Sequence, residues 1–130
     1  MQIGEVANQT GLSLRTIRYY EEMGLVAPSA RTTGGFRLYT DSDVARLQLI
    51  KRMKPLEFSL EETKDLLAAL DELESATGGS ARAALIERLE KYHTAAKARV
   101  AAVREQLVIA DDFAAELSRE ITRQKSTDSA

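Results

Sequence analysis

Arg15, Thr16, Arg18 and Tyr19 lie almost side by side, and Arg31, Arg37 and Tyr39 follow soon after. Guanidinium, hydroxyl and phenol groups share one chemistry, the donation of hydrogen bonds to phosphate oxygens and base edges. Ser13 stands just before them as a helix N-cap, and the partly positive helix N-terminus it caps adds to the attraction for phosphate. Catalytic chemistry has little to work with. The sequence has no cysteine, which removes thiolate nucleophiles, disulfides and the usual iron–sulfur and soft-metal ligands. His93 is the single histidine. Glu90 lies one turn from it, but Lys97 shares its face, so it reads as a surface histidine beside a helix seam, with no metal site implied. Asp111 and Asp112, and the group Asp71, Glu72 and Glu74, point to different sides of their helices and do not converge for acid–base work. No phosphate-binding loop is present. The chain is expected not to be an enzyme and to carry no cofactor.

The elements that must hold these donors can be read from the surrounding pattern. Val6, Ala7, Leu12 and Ile17 can pack two short helices across a turn at Gly11, where glycine accepts a backbone other residues resist. The second helix then projects Arg15, Thr16, Arg18 and Tyr19 away from the packed side, with Ile17 as its anchor. For Tyr20, three residues after Ile17, core packing and a free hydroxyl at the core's edge are equal readings. Gly24 suits the left-handed end of that helix. Arg31 to Tyr39, with Gly34-Gly35 between two short extended runs, reads as a β-hairpin. Strict alternation sends Phe36 and Leu38 to the core and turns Arg37 and Tyr39 outward, where an arginine can reach phosphate or the minor groove. Arg31, on the other arm, is balanced between phosphate contact and a solvated loop charge. Thr40 to Asp43 and Ser59 to Glu62 carry the caps of two further helices. Pro55 disfavours helical geometry at Lys54 in the turn between them.

Taken in order, Gly11-Leu12-Ser13-Leu14-Arg15-Thr16-Ile17-Arg18-Tyr19-Tyr20, Gly24-Leu25-Val26 with Pro28, Gly35-Phe36-Arg37-Leu38-Tyr39 and the two capped helices resemble the MerR family of bacterial transcription regulators. The resemblance is close over residues 2 to 70 and continues beyond only as one long helix. It implies a mainly α fold, a winged helix-turn-helix domain with a small hairpin wing followed by a long dimerisation helix. It also implies a homodimer on an inverted repeat in double-stranded promoter DNA, long helices paired antiparallel, each recognition helix in a major groove and each wing beside the backbone. The family acts on RNA polymerase indirectly, by bending and untwisting DNA so that promoter elements realign. Two departures stand out. Phe36 replaces the family's usual tyrosine, and Glu57 stands where a glycine usually precedes the phenylalanine. On this resemblance the DNA-binding set is Ser13, Arg15, Thr16, Arg18, Tyr19, Arg31, Arg37 and Tyr39.

Charge agrees once it is divided along the chain. The net charge is −2. Residues 1–55 carry eight Lys and Arg against five Asp and Glu, which is +3, and residues 56–130 carry ten against fifteen, which is −5. The basic half holds the motifs.

Domain boundaries are expected at 1–75 for the winged domain, 76–80 for a loop, 81–121 for the long helix and 122–130 for a disordered tail. Along the helix Leu85, Leu89, Tyr92, Ala96, Val100, Val103, Leu107, Ala110, Ala114 and Leu117 form one stripe that reaches Ile121, with a mean step of about 3.6 residues, the straight-helix period. A helix of that length outruns what a domain of this size can cover, so the stripe is read as facing a second copy of the chain in preference to folding back on its own domain. With no apolar run long enough for a membrane span and no secretion leader, a cytoplasmic location is expected. Two other readings stay open, a ligand-independent or protein-triggered repressor on the same fold and a coiled-coil adaptor whose winged domain binds protein.

Overall fold

The computed structural model describes residues 1–28, 30–75 and 78–129. Helices α1 (Ile3–Thr10) and α2 (Leu14–Glu22) come first, then a hairpin of β1 (Ala30–Arg31) and β2 (Arg37–Leu38). Helix α3 (Asp41–Met53), a 3-10 turn (Lys54–Leu56), α4 (Leu60–Ser75) and α5 (Gly79–Ser129) complete the order. The two strands are antiparallel, with Ala30 opposite Leu38 and Arg31 opposite Arg37. The chain divides into two units, Met1–Leu89 and the α5 residues from Glu90 onward.

The first unit is built on a core of Val6, Ile17, Tyr20, Leu25, Val26, Tyr39, Leu47, Ile50 and Leu67, with Leu12, Val44 and Leu60 among the residues packed against it. The turn between α1 and α2 works as the sequence suggests. Gly11 has φ 72°, and its N–H donates to the Ala7 carbonyl at 2.9 Å. A side chain there would meet Lys51 Nζ at 3.0 Å. That ammonium donates to the Thr10 carbonyl at 2.7 Å, so α3 supplies the cation that closes the C-terminus of α1. Gly24 ends α2 in a Schellman arrangement, with Leu25 N–H donating to the Tyr20 carbonyl at 2.9 Å and Gly24 N–H to that of Glu21 at 3.0 Å.

Both expected capping boxes form. Thr40 and Asp43 bond reciprocally at the start of α3, at 2.8 and 3.2 Å. Ser59 and Glu62 do the same ahead of α4, at 2.9 and 3.0 Å. Arg46 joins three segments by donating to the Leu25 carbonyl and to Asp71 of α4.

Three expectations need correction. Lys54 is helical, with φ −59° and ψ −48°, despite the proline after it. Pro55 sits in the first turn of the 3-10 segment, where its missing N–H costs nothing. The long helix begins at Gly79 and runs to Ser129, so residues 122–129 are helix and not a disordered tail, and Gly79-Ser80 belong to its first turn. No proline or glycine interrupts it after Gly79. Glu120 adds local support near its end by accepting from Arg123 and from Gln124 Nε2, contacts at three- and four-residue spacing. Ala76 and Thr77 of the expected loop lie outside the described residues. The first unit also extends past residue 75, because Leu85 is buried and Arg88 donates to the Asp65 carboxylate of α4.

Glu57 carries the departure noted above into the backbone. It is the one non-glycine with positive φ among the described residues, at φ 59° and ψ 34°, and its N–H donates to the Lys54 carbonyl at 2.9 Å. The left-handed conformation costs a residue with a Cβ about 1–2 kcal/mol, and glycine's greater freedom in the unfolded chain returns roughly 0.5–1 kcal/mol of that. Glu57→Gly is therefore expected to stabilise the protein by about 0.5–1 kcal/mol in urea unfolding, with unchanged helical circular dichroism. A lower unfolding midpoint would contradict this account of the turn.

Candidate nucleic-acid interface

Helix α2 presents its donors as its period requires. Ile17 and Tyr20 are buried, while Arg15, Arg18 and Tyr19 are exposed and Thr16 is half-buried. Among the described residues, neither Arg15 nor Arg18 has an ion-pair or hydrogen-bond partner, so both guanidinium groups are available. Ser13 caps the helix by accepting from Thr16 N–H at 3.0 Å, and its hydroxyl donates to Thr16 Oγ1 at 2.8 Å. These two hydroxyls are thus engaged with each other at the end of the helix that carries the arginines.

The wing is arranged differently from the simple alternation. Phe36 is 64% exposed and Tyr39 only 2% exposed, the reverse of the expected core and surface roles. The reason is the shortness of β2. Only Arg37 and Leu38 have strand geometry, so the two-residue period does not extend to their neighbours. Phe36 belongs to the turn, where its N–H donates to Thr32 Oγ1 at 3.1 Å. Tyr39 has left the strand, and its N–H donates to the Met1 carbonyl at 2.7 Å. Tyr39 is therefore removed from the set of outward contacts.

Its hydroxyl instead donates to Glu21 Oε2 at 3.1 Å, while Arg37 Nε donates to Glu21 Oε1 at 2.7 Å. One carboxylate on α2 thus grips the wing by two side chains. The hydrogen bond to this carboxylate, with its charge, holds the Arg37 guanidinium above its ordinary pKa. Burial, followed by the bond to Glu21, pushes the Tyr39 phenol up to about 12, so it stays a neutral donor over the physiological range. Arg31, opposite Arg37, turns its guanidinium back to the Gly35 carbonyl at 3.2 Å.

Arg18 and Arg37 meet at a cleft of about 120 Å³ whose other walls include Gln2, Ile3, Gly35 and Phe36. Gln2 is the N-cap of α1 and makes no side-chain capping bond. The cleft therefore combines two arginines with the N-terminal end of a helix, a combination suited to a backbone phosphate. Glu21 and Gln2 escaped the reading of the sequence. Glu21 is an acidic residue among basic ones and gave no signal of its own. Gln2 could have been found as the residue preceding the first apolar-periodic helix.

Residues 1–70 match the family pattern described as MerR HTH family regulatory protein, and residues 44–128 match the one described as MerR, DNA binding. Among curated relatives, HTH-type transcriptional regulator HmrR of Sinorhizobium medicae is 47% identical over 68 residues, which cover 52% of this chain and 46% of the relative. HTH-type transcriptional regulator ZntR of Escherichia coli is 40% identical over 90 residues, covering 69% and 64%. The chain spans about half the length of the first of these and somewhat more of the second. A solved structure of a MerR family transcriptional regulator from Listeria monocytogenes aligns with a TM-score of 0.67 at 31% identity, over 85% of this chain and 80% of that one. With the capped two-helix reader, the hairpin wing and the long last helix all in place, these matches make the chain a member of the MerR family of helix-turn-helix transcriptional regulators.

Proposed function

We propose that the chain binds an inverted-repeat promoter site as a homodimer, with α2 in the major groove and the wing against the backbone. The observation that carries this reading is the convergence of Arg18 and Arg37 on one cleft, while Arg15 and Tyr19 stay exposed on the same reading helix. Arg15, Arg18 and Tyr19 reach base edges and phosphate from α2, and Arg37 reaches phosphate from the wing. Arg31 adds charge from the hairpin's other arm. Ser13 and Thr16 set the end of the helix. Glu21 acts as a positioning residue, fixing the wing to the reading helix.

The partner for α5 is a second copy of the chain. Val103, Leu107, Leu117 and Ile121 of the stripe are all between two-fifths and three-fifths exposed in the single chain. Burying such a side chain is worth roughly 1.5–3 kcal/mol, so a solitary helix leaves a large favourable term unused. Leu85 is the exception in the stripe, since it is buried inside the first unit. Leu89, Tyr92, Ala96 and Val100 are half-buried, and Ala110 and Ala114 are exposed among the larger residues. Phe113 stands about 80° from the stripe's centre and Val108 and Ile109 about 120–140°, so apolar surface extends around the helix, a feature the stripe alone did not show. Antiparallel pairing of two such helices sets the separation of the two reading helices. Bending and untwisting of the promoter then acts on RNA polymerase through DNA shape. Among the described residues no helix is long and apolar enough to cross a membrane.

Fluorescence anisotropy on DNA from the protein's own promoter region, across a series of salt concentrations, tests the interface. Arg18→Ala and Arg37→Ala are each expected to weaken binding by about tenfold, roughly 1.4 kcal/mol, and to lower the salt slope by about one. Glu21→Gln should also weaken binding despite adding a positive increment to the charge, because the wing loses its tether. Unchanged affinity in both arginine variants would refute the assignment, and tighter binding by Glu21→Gln would refute the tether. Light scattering is expected to give a dimer for the wild type and a monomer for Val103→Glu/Leu117→Glu. A monomeric wild type at micromolar concentration would remove the second copy from the reading.

A further inference from the structure

Helix α4 carries Glu61, Glu62, Asp65, Asp71, Glu72 and Glu74 against Lys64 alone. Its carboxylates do not converge for acid–base work, but arginines from two other helices engage them. From α3, the half-buried Arg46 donates through Nη1 to Asp71 at 2.8 Å and through Nε to the Leu25 carbonyl, just beyond the end of α2. From α5, the half-buried Arg88 donates to the backbone carbonyl of Asp65 at 3.2 Å and to the carboxylate of the same residue. Glu72 Oε2 lies 3.7 Å from its other terminal nitrogen. Two guanidinium groups thus join the end of the reading helix to the start of α5, with α4 between them.

Residues Gly79 to Leu89 of α5 belong to the first unit, and Leu85 is the buried apolar anchor of that stretch. Apolar contact is non-directional, so Leu85 holds α5 against the domain without fixing its rotation or its slide along α4. A planar guanidinium with several donors fixes both. Such precision matters on DNA. A turn of about 34–36 Å takes about 10–10.5 base pairs, so one base pair displaces a half-site by roughly 3.4 Å and turns it by roughly 35°. A dimer that distinguishes operators by spacing must hold its two readers to that tolerance. We propose that Arg46 and Arg88 are positioning residues that set the half-site spacing the dimer accepts, Arg46 by fixing the end of α2 to α4 and Arg88 by fixing α4 to the helix that pairs. This inference rests on the proposed homodimer on an inverted repeat. Ion pairs as accessible as these add little to folding stability, so their removal loosens the geometry without unfolding the domain.

Fluorescence anisotropy with the full chain on three duplexes tests this: the operator mapped by footprinting in the protein's own promoter region, the same operator with one base pair inserted between its half-sites, and a single half-site. The wild type is expected to prefer the unaltered spacing by at least about tenfold. Arg88→Met and Arg46→Met should each cut that preference to about threefold or less while leaving single half-site affinity within about twofold of wild type. Asp65→Asn and Asp71→Asn remove the acceptors instead and should do the same. Arg88→Lys keeps the charge but loses the fork, and its preference should fall between. Urea unfolding and light scattering are expected to give midpoints near that of the wild type and dimers throughout. If Arg46→Met unfolds, Asp71→Asn, which leaves the Leu25 contact in place, decides the role of Arg46. An unchanged spacing preference in the arginine and asparagine variants would overturn the inference. So would single half-site affinity that falls as far as operator affinity, because the arginines would then support the domain as a whole, and so would a dimeric wild type indifferent to spacing. A wild type that binds no operator, or that is a monomer, would refute the proposed function itself and this inference with it.

Discussion

Helix α2 is held by a narrow apolar edge, Ile17 and Tyr20, set into a core shared with Val6 of α1 and Leu47 and Ile50 of α3. Because these residues are three apart, they occupy one face, and the geometry of a helix leaves Arg15, Arg18 and Tyr19 no place but the other. Everything the domain offers to a nucleic acid depends on that edge staying buried. Lys51 reinforces it from α3 by closing the end of α1 through the Thr10 carbonyl, so the turn at Gly11 is fixed from both sides.

The acidic Glu21 at the end of the reading helix would seem to oppose phosphate binding, yet it serves the wing. The hairpin has two residues per strand, too few to hold its own position, and it places Arg31 directly opposite Arg37. Like charges across a ladder repel. Glu21 offsets this by pairing with Arg37 and accepting from Tyr39, so the wing takes its orientation from α2 and not from its own strands. The two elements proposed to contact DNA are thereby linked by one side chain, which offsets the charge of one arginine in exchange for a fixed position.

Helix α5 raises a different constraint. Its backbone hydrogen bonds are satisfied within the helix whatever surrounds it, and Glu120 with Arg123 and Gln124 carries that order toward Ser129. Its side chains are not satisfied in the same way. The apolar surface from Val103 to Ile121 is broader than a single seam, and the charges that flank it are acidic on balance, in contrast with the basic first 55 residues. On the proposed reading, a helix of this kind separates two tasks, reading at one end of the chain and pairing along the other.

Periodicity and punctuation in the sequence determined most of the architecture: the two-helix reader, the hairpin, both capping boxes and the long helix. These features are local, and their signals lie within a few residues of one another. Exposure of Arg15, Arg18 and Tyr19 followed from Ile17 by the same local logic. Tertiary structure decided what local logic could not. Tyr39 is buried because β2 ends before it and Glu21, eighteen residues earlier, receives its hydroxyl. Phe36 is exposed because it lies in the turn. Arg18 and Arg37 share a cleft only because the wing folds back against α2, and Tyr20 loses its hydrogen-bond partners only because α3 and α4 close over it. Each of these outcomes depends on contacts between residues far apart in sequence, whose pairing no spacing rule encodes.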